Sequence, residues 1–197
     1  SRPLELEPEL GPDCGGLVEW PVENVVKLLC FYHPDDSDDV KAQQEATVKR
    51  LFTAARRNRL EFLLEIIPSK VAPVDDMSTA KVIERFYEIG VYPDWWKLEP
   101  LKTTEAWRNA CEAIIRNDPH TRGIVVLGLD APAEELEASL KVAADFDLVK
   151  GLDIGRTILG AVASTRLAKQ ISDAEAITET AQRHRAFCEL WDRLPHK

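Results

Sequence analysis

Five near-continuous apolar runs, each followed by a helical pattern, constrain this chain more than any other feature. The runs are "NVVKLLCFYH" (24–33), "LEFLLEIIP" (60–68), "PDWWKLEP" (93–100), "GIVVLGLD" (123–130) and "LVKGLDIG" (148–155). Apolar strands without clean alternation are the mark of parallel strands covered on both faces. Between them, helical spacing appears in 38–57 through Val48, Leu51, Phe52 and Ala55. Ser78 is placed to cap a helix carrying Val82, Ile83, Phe86 and Tyr87, which Gly90 ends. Thr103 or Thr104 caps the next, with Trp107, Cys111, Ile114 and Ile115 on one face. Pro132 suits a first helical turn before Leu136, Leu140 and Ala143. Helices over 157–169 and 172–193 follow, the latter with a capping-box pattern at Ser172 and Glu175.

This is five βα units and an added C-terminal helix. Regular alternation implies a parallel sheet with right-handed crossovers. Two α/β architectures satisfy it: a doubly wound open sheet, or part of a (β/α)8 barrel. A complete barrel takes ~250 residues, so a chain of this length falls short by about three units. Residues 1–20, rich in Pro, Gly and Glu, read as a linker or truncated segment, and 21–197 as the βα domain. The chain does not begin with Met, which fits a piece of something longer.

Composition narrows the function. A net charge of −9 argues against nucleic acid, whose phosphates need a basic face. No apolar run is long enough to span a membrane. "SRPLELEPELGP" has neither the basic head nor the apolar centre of a signal peptide. Cys14, Cys30, Cys111 and Cys188 are scattered, as expected of reduced thiols in a cytoplasmic protein. His33, His120, His184 and His196 show no HxxxH or HxH spacing, so no preformed metal site is expected.

Charge interrupts the strands repeatedly. Lys27 breaks the first, Glu65 the second, Lys97 and Glu99 the third. Asp130 ends the fourth; Lys150 lies in the fifth, and Arg156 follows it. In parallel α/β proteins, ligands sit at the carboxyl ends of strands. One buried charge is costly, and five strands carrying them point to a site rather than an accident. The bland alternative is a salt-bridge network that only fixes the core. Alternation places Trp95, Lys97 and Glu99 on one side of their strand. A lysine in an apolar pocket, or beside a second cation, gives up its proton more readily, and its amine can form a Schiff base with a ketone. Trp95 and Trp96 would supply apolar walls, and Lys27 or Lys150 the second positive charge. Glu65 could move protons during carbinolamine formation and bond cleavage. Gly155 and Arg156 open a helix after the last strand, a place where backbone N–H groups and a guanidinium bind phosphate.

At the level of motifs, "VVKLLCFYHPDDSDDVKAQQEATVKRL", "FLLEIIPSK", "DWWKLEP" and "LVKGLDIGRTILGAV" resemble the aldolase-like domain fused behind 5-dehydro-2-deoxygluconokinase in bacterial inositol catabolism. That domain is similar to class I tagatose-1,6-bisphosphate aldolase, a (β/α)8 enzyme. The resemblance covers about residues 20–193 and implies a barrel of which this chain supplies the C-terminal five units. By it, Lys97 matches the Schiff-base lysine, Glu65 the acid/base glutamate, Lys27 a second active-site lysine, and Gly155 and Arg156 the phosphate-binding segment. It implies cleavage of 6-phospho-5-dehydro-2-deoxygluconate to dihydroxyacetone phosphate and malonate semialdehyde, with no metal or cofactor. Lys150, Asp130 and Glu99 would line the pocket. The sequence departs from the family at Gly128, Leu129 and Asp130, where the aldolases carry a Ser-Ala-Gly type segment.

An open five-strand sheet would leave its edges and the barrel interior uncovered, so association with a second copy, or with the missing segment, is expected. Two rival readings stand: a non-catalytic sugar-phosphate-binding or regulatory domain, and metal-assisted chemistry through Glu65, Glu99 and Asp130. "HPDDSDD" (33–39) reads as a turn and helix start, and Trp107 and Trp191 as packing residues.

Overall fold

The computed structural model describes residue 5, residues 10–128 and residues 133–194. The elements run β1 (Val25–Cys30), α1 (Asp38–Arg57), β2 (Glu61–Ile66), α2 (Ser78–Glu88), β3 (Trp95–Leu98), α3 (Thr104–Asn117), β4 (Gly123–Leu127), α4 (Ala133–Ala143), β5 (Val149–Asp153), α5 (Arg156–Leu167) and α6 (Asp173–Arg193). Short 3-10 turns cover Gly15–Glu19 and Pro68–Lys70. All five strands are parallel, and their order in the sheet is their order in the chain. A doubly wound sheet reverses order at a switch point. This sheet has none among the described residues, and the doubly wound alternative drops out.

Crossovers of one hand between sequential strands put the connecting helices α1 to α4 on the same face. The core follows. Val26, Leu28, Cys30, Phe62, Leu64, Ile66, Trp96, Leu98, Ile124 and Val126 share one side of the pleat and are buried. They form one cluster with Val48, Leu51, Val82, Phe86, Trp107, Ile114, Leu136 and Leu140 from the helices. Trp96 shows the fit: its ring meets Phe86 and Tyr87, and its Nε1 donates to the Tyr87 hydroxyl at 2.9 Å.

The expectation that both sheet faces are covered holds for that side alone. On the other, Val25 and Lys27 are exposed, and Leu29, Leu63, Trp95 and Val125 only half-buried. These side chains shelter one another, so the strands read as continuously apolar although no described helix covers this face.

Local signals were mostly honoured. Thr103 caps α3 by accepting from Ala106 N–H at 3.0 Å, and Ser172 with Glu175 forms a capping box. Gly90, at φ +84°, turns the chain out of α2. Ser78, expected to cap α2, is instead its first residue: its hydroxyl donates to Asp75 Oδ1 at 2.7 Å and accepts from Asp75 N–H at 2.9 Å. Ile115, placed on the inner face of α3, is exposed, since 3.6 residues per turn carry it past Ile114 toward solvent. Pro132 lies outside the described residues. Within the segment read as a linker, Cys14 and Leu17 are fully buried in the core. No described helix is long and apolar enough to cross a membrane.

Candidate active site

The second sheet face carries the site. Strand register decides which charges meet: Leu29 pairs with Glu65, Glu65 with Lys97, and Lys97 with Val125. Glu65 and Lys97 are therefore direct neighbours on adjacent strands, pointing to one side. Lys27 enters one pleat earlier on β1, opposite Leu63, and reaches Glu65 diagonally. Its Nζ lies 2.5 Å from Glu65 Oε2, and Lys97 Nζ lies 3.5 Å from the same oxygen. Lys97 also extends past the short side chain of Val125 on β4 to Asp153 on β5, with Nζ to Oδ2 at 2.8 Å. The result is an alternating chain of ammonium and carboxylate groups: Lys27, Glu65, Lys97, Asp153. Glu65 and Lys97 are buried, whereas about half of the Lys27 and Asp153 side chains face solvent (44% and 50% exposed).

One end of the sheet is knit shut below this row. Trp95 Nε1 donates to Glu61 Oε2 at 2.9 Å, and Arg122 pairs with Glu61 Oε1 at 2.6 Å. The other end, at the carboxyl termini of the strands, opens into a cleft of about 520 Å³. Leu29, Phe31 and Leu127 supply apolar lining; Lys27, Glu65, Lys97, Asp153 and Arg156 supply charge. Three cations against two carboxylates leave the cleft one positive charge, although the chain as a whole is acidic.

The first turn of α5 closes one side. Gly155 is its N-cap, and Gly155, Arg156 and Thr157 all border the cleft. Gly128, just past β4, meets them closely: a Cβ there would fall 2.4 Å from Thr157 Oγ1. A larger residue there would force the Thr157 side chain to shift. The Thr157 hydroxyl is buried and has no hydrogen-bond partner among the described residues. A helix N-terminus, a guanidinium and an unpartnered hydroxyl on one rim form an anion cradle in chemical terms.

The structure thus brings Lys27, Glu65, Lys97, Gly155 and Arg156 into one cleft and leaves others out. Glu99 turns away to the β2–α2 connection, where Ser69 N–H donates to its Oε1 at 3.1 Å and Ser69 Oγ to its Oε2. Burial pushes the Glu99 carboxyl above its ordinary range, against the pull of those hydrogen bonds. Its place is in the wall, pinning one loop to another. Lys150 is also outside. A β-bulge between Ile124 and Val125 pairs Val125 with Gly151, and Lys150 lies exposed with its chain over Gly123. Asp130 lies outside the described residues. Trp96, proposed as an apolar wall, faces the helices instead, because it has the opposite parity to Trp95. Asp153 and Thr157 were not singled out from the sequence. Asp153 and Lys150 have opposite parity on β5, and the register shift opposite Ile124 and Val125 decides which of them faces the cleft.

Among the described residues, no group of three or more His, Cys, Asp or Glu could hold a metal. His33 is buried and engaged, its Nε2 3.1 Å from the Pro73 carbonyl and its Nδ1 accepting from Asp35 N–H. Asp36 accepts from His33 N–H, so "HPDDSDD" builds a turn ahead of α1.

Residues 1–194 match a family described as "Uncharacterized protein conserved in bacteria (DUF2090)". The chain belongs to the DUF2090 family. A comparison with curated proteins found no match. Among solved structures, this DUF2090 chain is similar to a fructose-bisphosphate aldolase from Plasmodium falciparum, solved in a ternary complex with TRAP and a small molecule inhibitor. The TM-score is 0.60 at 17% identity, covering 88% of the DUF2090 chain and 58% of the aldolase. At that identity the likeness is one of fold.

Proposed function

We propose that this chain carries the site of a Schiff-base aldolase-type lyase acting on a phosphorylated keto-sugar acid. The observation that carries the reading is Lys97: a buried amine, register-paired with the buried carboxylate of Glu65, at the mouth of a cleft whose far rim is the Gly155–Arg156 helix start. Class I chemistry needs a lysine nucleophile, a carboxyl group within reach to move protons, and a place for the substrate's phosphate. The amine attacks the ketone, water leaves, and the iminium accepts the electron pair of the carbon–carbon bond that breaks. Glu65 moves protons on the substrate. Lys27 holds Glu65 in place and offers charge to an anionic substrate group, and Arg156 and the α5 N-terminus take phosphate.

The finer proposal follows the sequence resemblance: the substrate is 6-phospho-5-dehydro-2-deoxygluconate, cleaved in the cytoplasm during inositol catabolism, in a parent chain fused to a sugar kinase. The five units are the C-terminal five-eighths of a (β/α)8 barrel. Sequential parallel order and a 58% share of the aldolase support this. Among the described residues no strand pairs with the outer edges of β1 and β5, which supports association with a second copy.

Incubation of the full chain with dihydroxyacetone phosphate and borohydride tests the mechanism. The expected result is a covalent adduct located on Lys97 by peptide mass spectrometry. Absence of any adduct removes the Schiff base. The uncovered second face of the sheet favours one rival, a binding domain that keeps the pocket without turnover. That rival predicts a raised Tm with the phosphosugar and no product.

A further inference from the structure

The geometry points to Asp153 as a second catalytic carboxylate, the group that takes the proton from the Lys97 ammonium before the amine attacks. This rests on the Schiff-base reading above and adds a residue and a division of labour to it.

Three observations carry it. The first is distance. Asp153 Oδ2 lies 2.8 Å from Lys97 Nζ, and the nearer Glu65 oxygen lies 3.5 Å away. A proton moves along a hydrogen bond of about 2.6–3.2 Å, so Asp153 lies within transfer distance of Lys97 and Glu65 lies beyond it. The second is competition. Glu65 Oε2 is shared between Lys27 at 2.5 Å and Lys97 at 3.5 Å. Asp153 has Lys97 as its ion-pair partner. The third is access. Glu65 is buried, while half of the Asp153 side chain meets solvent. A proton placed on Asp153 can exchange with water; one placed on Glu65 stays inside with the substrate.

The two carboxylates then do different work. Asp153 takes a proton from the Lys97 ammonium, leaving a neutral amine and a carboxylic acid. The nitrogen lone pair forms a bond to the ketone carbon, and the carbonyl π electrons move to oxygen. Glu65 carries a proton from that nitrogen to that oxygen, giving the carbinolamine. The carbon–oxygen bond breaks as the hydroxyl leaves with the proton that Asp153 took, directly or through water. The sum is ammonium plus ketone to iminium plus water, with no net proton consumed.

The charged groups facing this pair among the described residues are Lys27 from β1, Glu65 from β2 and Arg156 from the start of α5; β4 contributes only Val125 and Leu127. A plain counter-ion role is therefore separable by sign. If Asp153 merely held the ammonium, its removal would free the amine at lower pH, and trapping would speed up. If Asp153 accepts the proton, its removal slows trapping.

The test is the rate of borohydride-trapped adduct on Lys97 in the full chain, with dihydroxyacetone phosphate as probe, across pH. With Asp153→Asn, the rate near neutral pH is expected to fall by about 10- to 100-fold. The deficit should shrink toward pH 10, where an ordinary lysine amine is about half neutral. The probe concentration giving half-maximal trapping should stay within about twofold, because the loss lies in the transfer and not in binding. Asp153→Ala should match the Asn variant, and Asp153→Glu should recover most of the rate; far-UV circular dichroism checks that each is folded. Trapping by Asp153→Asn at or above the wild-type rate at neutral pH overturns the assignment and leaves the Schiff base standing. No adduct in the wild type removes both.

Discussion

Lys97 is held between two carboxylates on opposite sides, Glu65 on the neighbouring strand and Asp153 two strands away. The Glu65 contact follows from register alone, because the residues are paired on β2 and β3. We predict that Glu65→Gln, which keeps the shape and removes the proton-carrying carboxylate, leaves Lys97 able to form some adduct. It should slow exchange of the α-proton of bound dihydroxyacetone phosphate with D₂O by about 10²–10⁴-fold. Proton NMR of the probe reads the exchange. An unchanged rate would take Glu65 out of the chemistry.

Arg156 borders the cleft beside the N-terminus of α5, the place where the fold offers most to a phosphate. A charge-assisted hydrogen bond is worth about 1.5–3 kcal/mol, so Arg156→Ala should weaken a phosphorylated probe by about 10- to 150-fold. Unphosphorylated dihydroxyacetone should lose little. Calorimetric titration of both probes checks this, and equal loss for the two would assign Arg156 to scaffold rather than phosphate.

How much of this was legible depends on what each strand's alternation could say. β2 and β3 each carry interior charge in an apolar strand, so Glu65 and Lys97 stood out, and parallel order made their meeting natural. β5 was harder. It holds Lys150 and Asp153, one on each parity, and unbroken alternation cannot choose between them. The bulge opposite Ile124 and Val125 sets the phase, and bulges leave little trace in a sequence. Glu99 shares parity with Lys97, yet the strand ends at Leu98, and past a strand end parity no longer fixes direction. There Ser69, thirty residues earlier in the chain, decides where the carboxyl goes. Apolar continuity was equally ambiguous: it signals two covered faces, and here half-buried side chains such as Leu63 and Trp95 imitate it.

Gly128 and Thr157 give a steric prediction. Gly128→Ala would drive a methyl group to 2.4 Å from Thr157 Oγ1 and 3.1 Å from Ile154 Cγ2. Overpacking of this kind costs about 1–3 kcal/mol. Thr157→Ala removes the nearer clash, so the cost of Gly128→Ala in that background should fall by about half or more. Urea unfolding of the four proteins closes the cycle. Additive effects would show that the loop yields instead.

The four thiols should separate by burial. Cys14, Cys30 and Cys111 are buried, and Cys188 on α6 is half-exposed. Burial pushes the Cys111 thiol up to about 12 and raises Cys14 in the same direction. The thiolate is the reactive species, so a disulfide reagent at neutral pH should modify one thiol quickly, with Cys188 as the site. The other three should react only on unfolding. Fast modification of Cys111 in the folded chain would contradict the packing of α3 against the core.

On the outer side of the helices, Glu45 of α1 is bound by Arg85 of α2 through two hydrogen bonds, 2.9 Å to Oε1 and 2.8 Å to Oε2, and accepts the Tyr32 hydroxyl at 2.6 Å. Burial works against its charge, but the Arg85 and Tyr32 hydrogen bonds outweigh burial and hold the carboxyl below its ordinary range. A folded value below the unfolded one means that the unfolded chain takes up the proton first as pH falls. The stability this supplies is complete above the unfolded value of about 4.3 and is lost as pH drops through the folded value. Glu45→Gln should cost about 1–3 kcal/mol at neutral pH, where the charged acceptor is replaced by a neutral one. The gap between wild type and variant should narrow below about pH 4, because protonation then removes the same charge from the wild type. Urea unfolding of both proteins at stepped pH reads the difference directly, with every other titrating group cancelling. A gap that stays constant into acid would show that Glu45 contributes packing and not charge to the join between α1 and α2.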